Sequence, residues 1–261
     1  MTMKIRHIAV AIAFVAAAMP AGRAFAGPIG NTGSFNWTRV GGYHTGSGGE
    51  FTAYNLNGGI SNADYASSSR NISNAQSFQT FCLEAGENAA SPSYFVVAGS
   101  AARGGTTDST DPLSKGTAWL YSEFAKGTLT VASGNYFSPG APSRDVEAGR
   151  LQDAIWWLEG ENSATTDANY ASNPYAAAVV TMFGGIAGAK GNATVGYLGV
   201  YVLNNFTSAA ARDAWATNGT FDSSKKAQDF VYYSVPDGGT TLMLLGGALV
   251  GLGAVRRKFS A

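Results

Sequence analysis

The chain of 261 residues contains one cysteine, Cys82, and two histidines, His7 and His44. A single cysteine excludes an internal disulfide framework. With so few soft ligands, a zinc site built from Cys and His is excluded as well, and no metal or other cofactor is expected. Charge is equally scarce: Asp, Glu, Lys and Arg make up 13% of the residues, with 17 basic against 17 acidic. Six of the basic residues lie in the two terminal segments, so the body between them is mildly acidic. It offers no basic stripe of the kind that nucleic acid requires, and nucleic acid is not an expected partner. Long apolar runs are missing from the body and occur only at the ends.

Those ends are informative. Lys4, Arg6 and His7 precede an apolar stretch, Ile8 to Met19, and Ala24-Phe25-Ala26 supplies a small-x-small cleavage site. This pattern predicts a secretory signal peptide over residues 1–26, with the mature chain beginning at Gly27. At the other end, Val235-Pro236-Asp237-Gly238-Gly239 leads into an uncharged run of 18 residues, Gly238 to Val255, followed by Arg256, Arg257 and Lys258. Such a run is at the short edge of what spans a bilayer, and a basic cluster after it holds that end in the cytoplasm. A short polar motif, a hydrophobic helix and terminal arginines together resemble the PEP-CTERM sorting signal of Gram-negative bacteria. The resemblance implies an exosortase as partner during export, transient anchoring in the inner membrane, and a final place at the cell surface or in an extracellular matrix. Gly238 stands where a second proline is usual, so the motif is more similar to the variant in which Val-Pro-Asp is followed by small residues. A permanent single-pass transmembrane anchor is the alternative.

The body, residues 27–234, is long enough for one domain. Short aromatic and branched runs between glycine-rich turns, such as "SFNWTRV", "GEFTAYNL", "QSFQTFCLE" and "YFVVAG", predict strands. Two helices are expected next. One is capped by Asp111, with Pro112 in its first turn, and stops at Gly127; the other is capped by Ser143, with Asp145 and Glu147 in its first turn and an apolar face of Leu151, Ile155 and Leu158. Gln152 falls on the packed side of that second helix. A third helix is expected from Pro174 to Phe183, and "VGYLGVYVLNNF" and "AQDFVYYS" read as closing strands. The order predicts a single α+β domain, β-rich as a sandwich or partial barrel, with a segregated helical layer.

Cys82 admits four readings. It can be a buried core cysteine beside Phe78, Phe81 and Leu83; half of an intermolecular disulfide; or a hydrolase nucleophile with His44, in "GGYHTGSGGE", as base. The fourth reading pairs it with Gln152. "FCLE" around Cys82 and "LQDAI" around Gln152, in this order and 70 residues apart, resemble the Cys-Gln thioester domains of bacterial surface adhesins. "GTAWLYSEFAKG" is similar to the helical segment those domains carry before the glutamine. The resemblance implies that sulfur and carboxamide condense with loss of ammonia, giving an internal thioester that an amine on a surface or matrix partner can attack. It also implies a dry surround, for which Phe81, Trp119, Tyr121 and Trp156 are candidates. Such a protein is a single-turnover reagent rather than an enzyme. The alternative from another class is a noncovalent extracellular matrix or glycan-binding protein in which Cys82 is merely buried.

Other chemistry finds less support. Asp108 and Asp111 lack the spacing and glycine of a calcium loop and read as turn and cap residues. Glu159 and Glu161 close a helix end, where two acids are ordinarily solvated rather than paired for glycoside hydrolysis. The glycines around His44 precede no helix, so they do not form a nucleotide loop.

Overall fold

The computed structural model describes residues 29–58, 60, 77–101, 111–132, 134–137 and 143–234. They fall within one unit, Gly27–Pro236. The signal peptide, the sorting motif Val235 to Gly239, the apolar run after it and Arg256, Arg257 and Lys258 lie outside the described residues, as does Asp108. No helix among the described residues is long and apolar enough to cross a membrane.

Alternation of apolar and polar side chains builds the first hairpin. Strand β1 (Thr32–Thr45) and strand β2 (Gly48–Gly58) bury Phe35, Phe51 and Ala53 on one face. Gly46, at φ 51°, supplies the left-handed residue of the two-residue turn between them. Strand β3 (Ser77–Thr80) pairs with β2, while β4 (Ser93–Ala98) pairs with both β1 and β9 (Val200–Phe206); β10 (Lys226–Tyr233) pairs with β9. The result is a six-stranded antiparallel sheet in the order β10-β9-β4-β1-β2-β3. Two ladders of two residues per strand complete the β structure: β5 (Ser100–Ala101) with β6 (Asp111–Pro112), and β7 (Thr130–Val131) with β8 (Gly134–Asn135).

The two edges of the large sheet do not stay apart. Beyond Thr80 the chain leaves β2 and turns to β10, where Val231 N–H donates to Phe81 O at 3.3 Å and Leu83 N–H to Asp229 O at 3.0 Å. Cys82 lies opposite Phe230 in this short bridge. The sheet therefore curls toward a barrel, and Cys82 sits on its closing seam. A strand continuing through Cys82 was expected; it stops at Thr80, because the backbone exchanges one partner strand for the other there.

Helices cover the outside. Helix α1 (Lys115–Lys126) is capped by the Ser114 hydroxyl, which accepts from Thr117 N–H, and is stopped by Gly127 at φ 76°. The expected cap at Asp111 is thus displaced by three residues: Asp111 and Pro112 lie in β6, where Pro112 needs no N–H. Helix α2 (Arg144–Glu159) starts after Ser143 with Asp145 and Glu147 in its first turn, as expected, though the Ser143 hydroxyl bonds to Asp145 instead of capping the backbone. Helix α3 (Pro174–Met182) follows an Asn173 cap and a short turn of helix, α4 (Ile186–Ala189), comes next. Helix α5 (Ala209–Asn218) had no counterpart in the sequence reading. It has no fully buried residue; its packed side is the half-buried Ala211, Ala214 and Trp215, a stripe of mostly small side chains that gives only a weak apolar signal.

Two apolar clusters result. The inner face of the curled sheet holds Phe35, Phe51, Phe78, Phe95, Phe230 and Tyr232, together with Cys82 and Trp156. The other cluster lies between the helices and the outer face, and includes Phe81, Leu83, Tyr121, Phe124, Leu151 and Ile155.

Candidate functional site

Strand alternation decides which way the seam residues point. Residues opposed in an antiparallel bridge share a face, so Cys82 follows Phe230 inward while Phe81 and Leu83 face the helices. Cys82 is 3% exposed and its thiol is free.

The bonds to β10 are made by Phe81 and Leu83, which leaves the N–H and C=O of Cys82 directed to the opposite side, where β2 has just been lost. The register of β3 on β2 pairs Thr80 with Phe51; continued, it would set Cys82 against Gly49. The side chain of Gln152 occupies that gap. Its Oε1 accepts from Cys82 N–H at 3.0 Å and from Gly49 N–H at 3.0 Å, and its Nε2 donates to Cys82 O at 2.8 Å. A carboxamide thus stands in for the missing peptide of a neighbouring strand, satisfying backbone groups that would be costly to bury unpaired. Gln152 itself is wholly buried.

Glycine makes the close approach possible. A Cβ on Gly48 would lie 2.5 Å from the Trp156 ring and 2.8 Å from Gln152 Cγ. Gly49 has φ 137°, and a Cβ there would lie 2.3 Å from Tyr43 O. Immediately after them Glu50 is fully buried and ion-paired to Arg144 in the first turn of α2, while Tyr136 Oη donates to Glu50 Oε2 at 2.7 Å. This pair fixes the strand that carries Gly49 to the helix that carries Gln152. Gly48, Gly49, Glu50 and Arg144 were not singled out from the sequence. The one available signal was two consecutive glycines inside a strand pattern, a mark of close backbone approach.

Burial is the main influence on the thiol. It holds the Cys82 proton well above its ordinary affinity; the charge of Arg39 offsets this in part and that of Glu87 adds to it. The resting group is a neutral thiol beside a neutral amide.

The other end of α2 is different. Glu84 is pushed up to about 10 by burial, by the charges of Glu161 and Asp229 and by a hydrogen bond with Glu161. Glu87 is raised to about 7 by burial and Asp229, against the pull of Lys226. Glu159 is raised to about 7, chiefly by burial, although the Ser114 hydroxyl donates to it at 2.7 Å. Glu159 and Glu161, expected to be solvated at the helix end, are instead half-buried: Glu159 accepts from Ser114, and Glu161 Oε2 accepts from Ala85 N–H at 3.1 Å. Among the described residues no group of three or more His, Cys, Asp and Glu could hold a metal ion.

The other residues proposed from the sequence are divided between the two clusters. Trp156 lies with Cys82 on the inner face, and its buried indole N–H has no hydrogen-bond partner among the described residues. Phe81 packs on Phe124 with ring centroids 5.0 Å apart, and Tyr121 donates through its hydroxyl to Gln79 O at 2.8 Å; both belong to the helix-side cluster, against which Trp119 also packs. His44 is exposed on β1, opposite Gly49.

Comparison with known proteins bears on the C-terminal segment. The model of the VPDSG-CTERM motif matches residues 234–259. The chain carries a sorting signal of the PEP-CTERM type. That signal fits processing by an exosortase-type enzyme and supports export with transient membrane anchoring. No curated protein and no solved structure matches the chain.

Proposed function

We propose that the exported body is a covalent attachment module, in which Cys82 and Gln152 condense to a thioester that is then opened by an amine on a surface or matrix partner of a Gram-negative cell. The observation that carries this reading is the pair of hydrogen bonds between the Gln152 carboxamide and the backbone of Cys82 itself. The carboxamide thus reaches, in a buried site, the backbone of the residue 70 positions away that carries the thiol, and an unactivated amide needs the thiol held close before it can be attacked. In the condensation Cys82 Sγ bonds to Gln152 Cδ, the bond from Cδ to Nε2 breaks, and the thiol proton leaves on nitrogen as ammonia. Because both partners start neutral, no charged intermediate need be released to solvent. An incoming amine then bonds to Cδ, the carbon–sulfur bond breaks, and the amine proton returns to sulfur.

Two features favour the competing reading, a noncovalent matrix protein with an inert buried cysteine. The thiol is held protonated by burial, and Gln152 has a sufficient structural role in satisfying the seam. Intact mass of the exported protein, purified without reductant, separates the readings. A thioester lowers the mass by one ammonia, and methylamine adds one methylamine to that form; Cys82→Ala must abolish both. A wild-type mass equal to that of the unmodified chain excludes the thioester.

A further inference from the structure

We infer that the backbone N–H groups of Gly49 and Cys82 form an oxyanion hole for acyl transfer at Gln152, so that the β1–β2 hairpin contributes a catalytic donor through its main chain. The inference rests on the thioester reading and adds to it a second strand, from the other side of the seam. Both donors lie 3.0 Å from one oxygen, Gln152 Oε1, one from each side of the gap. Oε1 is the atom on which negative charge collects when Cδ becomes tetrahedral, both when sulfur attacks and the amide C–N bond breaks, and when an amine attacks and the C–S bond breaks. The two N–H groups contact the same oxygen throughout, while Nε2, held by Cys82 O, is the group that departs. Donors fixed in advance at a developing charge in a site without water are the strongest form of this stabilisation.

The arrangement is built rather than incidental. Gly49 N–H is open to Oε1 because it points along β2 to the same side as Phe51, toward β3 and away from β1, and β3 no longer runs beside β2 at that level. The Gly49 backbone conformation is one that side-chain-bearing residues rarely adopt, and Glu50 next to it is anchored to α2 by Arg144. Loss of one such donor slows acyl transfer by about 10²–10³-fold.

The test removes the N–H without adding a side chain. Glycolic acid placed at position 49 by nonsense suppression replaces the amide with an ester in the otherwise complete exported chain, and the same exchange at Gly41, in open space on the same hairpin, serves as control. Thioester content is read from intact mass, and opening from the rate of methylamine capture. The expected result is that the position 49 ester either lacks the thioester or captures methylamine about 10²–10³-fold more slowly, while the position 41 ester behaves as wild type. Thioester content and capture rate equal to wild type at position 49 overturn the inference. A second measurement needs no variant: with ¹³C in the glutamine carboxamide carbon, the thioester carbonyl stretch of the wild type should lie below that of a non-hydrogen-bonded thioester in apolar solvent. A stretch at the free value overturns the oxyanion hole while leaving the thioester itself intact. Absence of any ammonia loss in the wild type sinks the thioester and this inference with it.

Discussion

Helix α2 passes through two very different environments. Near its middle, Gln152 faces the seam through neutral groups, and each polar atom of its carboxamide is engaged by backbone of β2 or of the seam. Toward its C-terminal end, burial raises the carboxyl of Glu159, with a smaller push from Asp111, and burial together with the charges of Glu161 and Asp229 raises that of Glu84. Burial has been made cheap at one site by hydrogen bonding and remains costly at the other, where protons stand in for missing counter-charges. The first arrangement should be indifferent to pH; the second should not.

The largest expected effect lies at the neutral site. Gln152→Ala should eliminate methylamine labelling completely, and should also leave the N–H and C=O of Cys82 and the N–H of Gly49 unpaired, at about 1–3 kcal/mol for each buried group. Urea unfolding beside Cys82→Ala, which leaves those bonds in place, separates the chemical loss from the structural one. Equal stability of the two variants would show that the seam does not depend on the carboxamide.

Next in size is the anchor between β2 and α2. Arg144→Met removes the guanidinium from the buried Glu50 carboxylate, to which Tyr136 still donates, and should cost about 3–5 kcal/mol in denaturant unfolding. If methylamine capture falls as well, the anchor also positions Gly49.

The acidic end sharpens the contrast through pH. Glu87 and Glu159 are raised to about 7 and Glu84 to about 10, so the folded chain holds these protons more tightly than the unfolded one. Below the ordinary glutamate range both states carry them and stability is greatest. As pH rises toward about 7 the unfolded chain loses them first, and the stability that each contributes falls by on the order of 1–3 kcal/mol. Glu84 alone should continue the decline toward about 10. Glu84→Gln should flatten the profile above pH 7 in urea melts taken at successive pH values, and an unchanged slope would refute the assignment. Methylamine capture, corrected for the free amine concentration, should show no matching break.

The smallest effect expected is at the cap of α1, which joins that helix to Glu159 of α2. Ser114→Ala removes both the hydroxyl acceptor for Thr117 N–H and a donor to Glu159, and should lower the melting midpoint by about 1 kcal/mol of stability.

Much of the fold was legible because local rules govern it. Short aromatic and branched runs between turn signals marked β1, β2 and β4, and Gly127 and Ser143 marked helix limits at the places where the chain does stop and start. Helix α5 was missed because its packed side is made mostly of alanine, and the Asp111 cap was misplaced because a two-residue ladder intervenes before Ser114. At the site, Cys82 and Gln152 could be picked out by residue type and helical phase. Gly49 could not, since its contribution is a main-chain N–H and any residue has one.

The sequence by itself determined that this is an exported chain with a PEP-CTERM-type sorting signal, a single sulfur, and a glutamine on the packed side of a helix, because composition and periodicity act over short distances. Only the tertiary structure decided that β3 abandons β2 for β10 after Thr80, opening a gap one peptide wide into which Gln152 fits. That choice depends on the curvature of a six-stranded sheet, while the bond between Glu50 and Arg144 ties α2 to β2 beside the gap, and neither is written in any one stretch of residues.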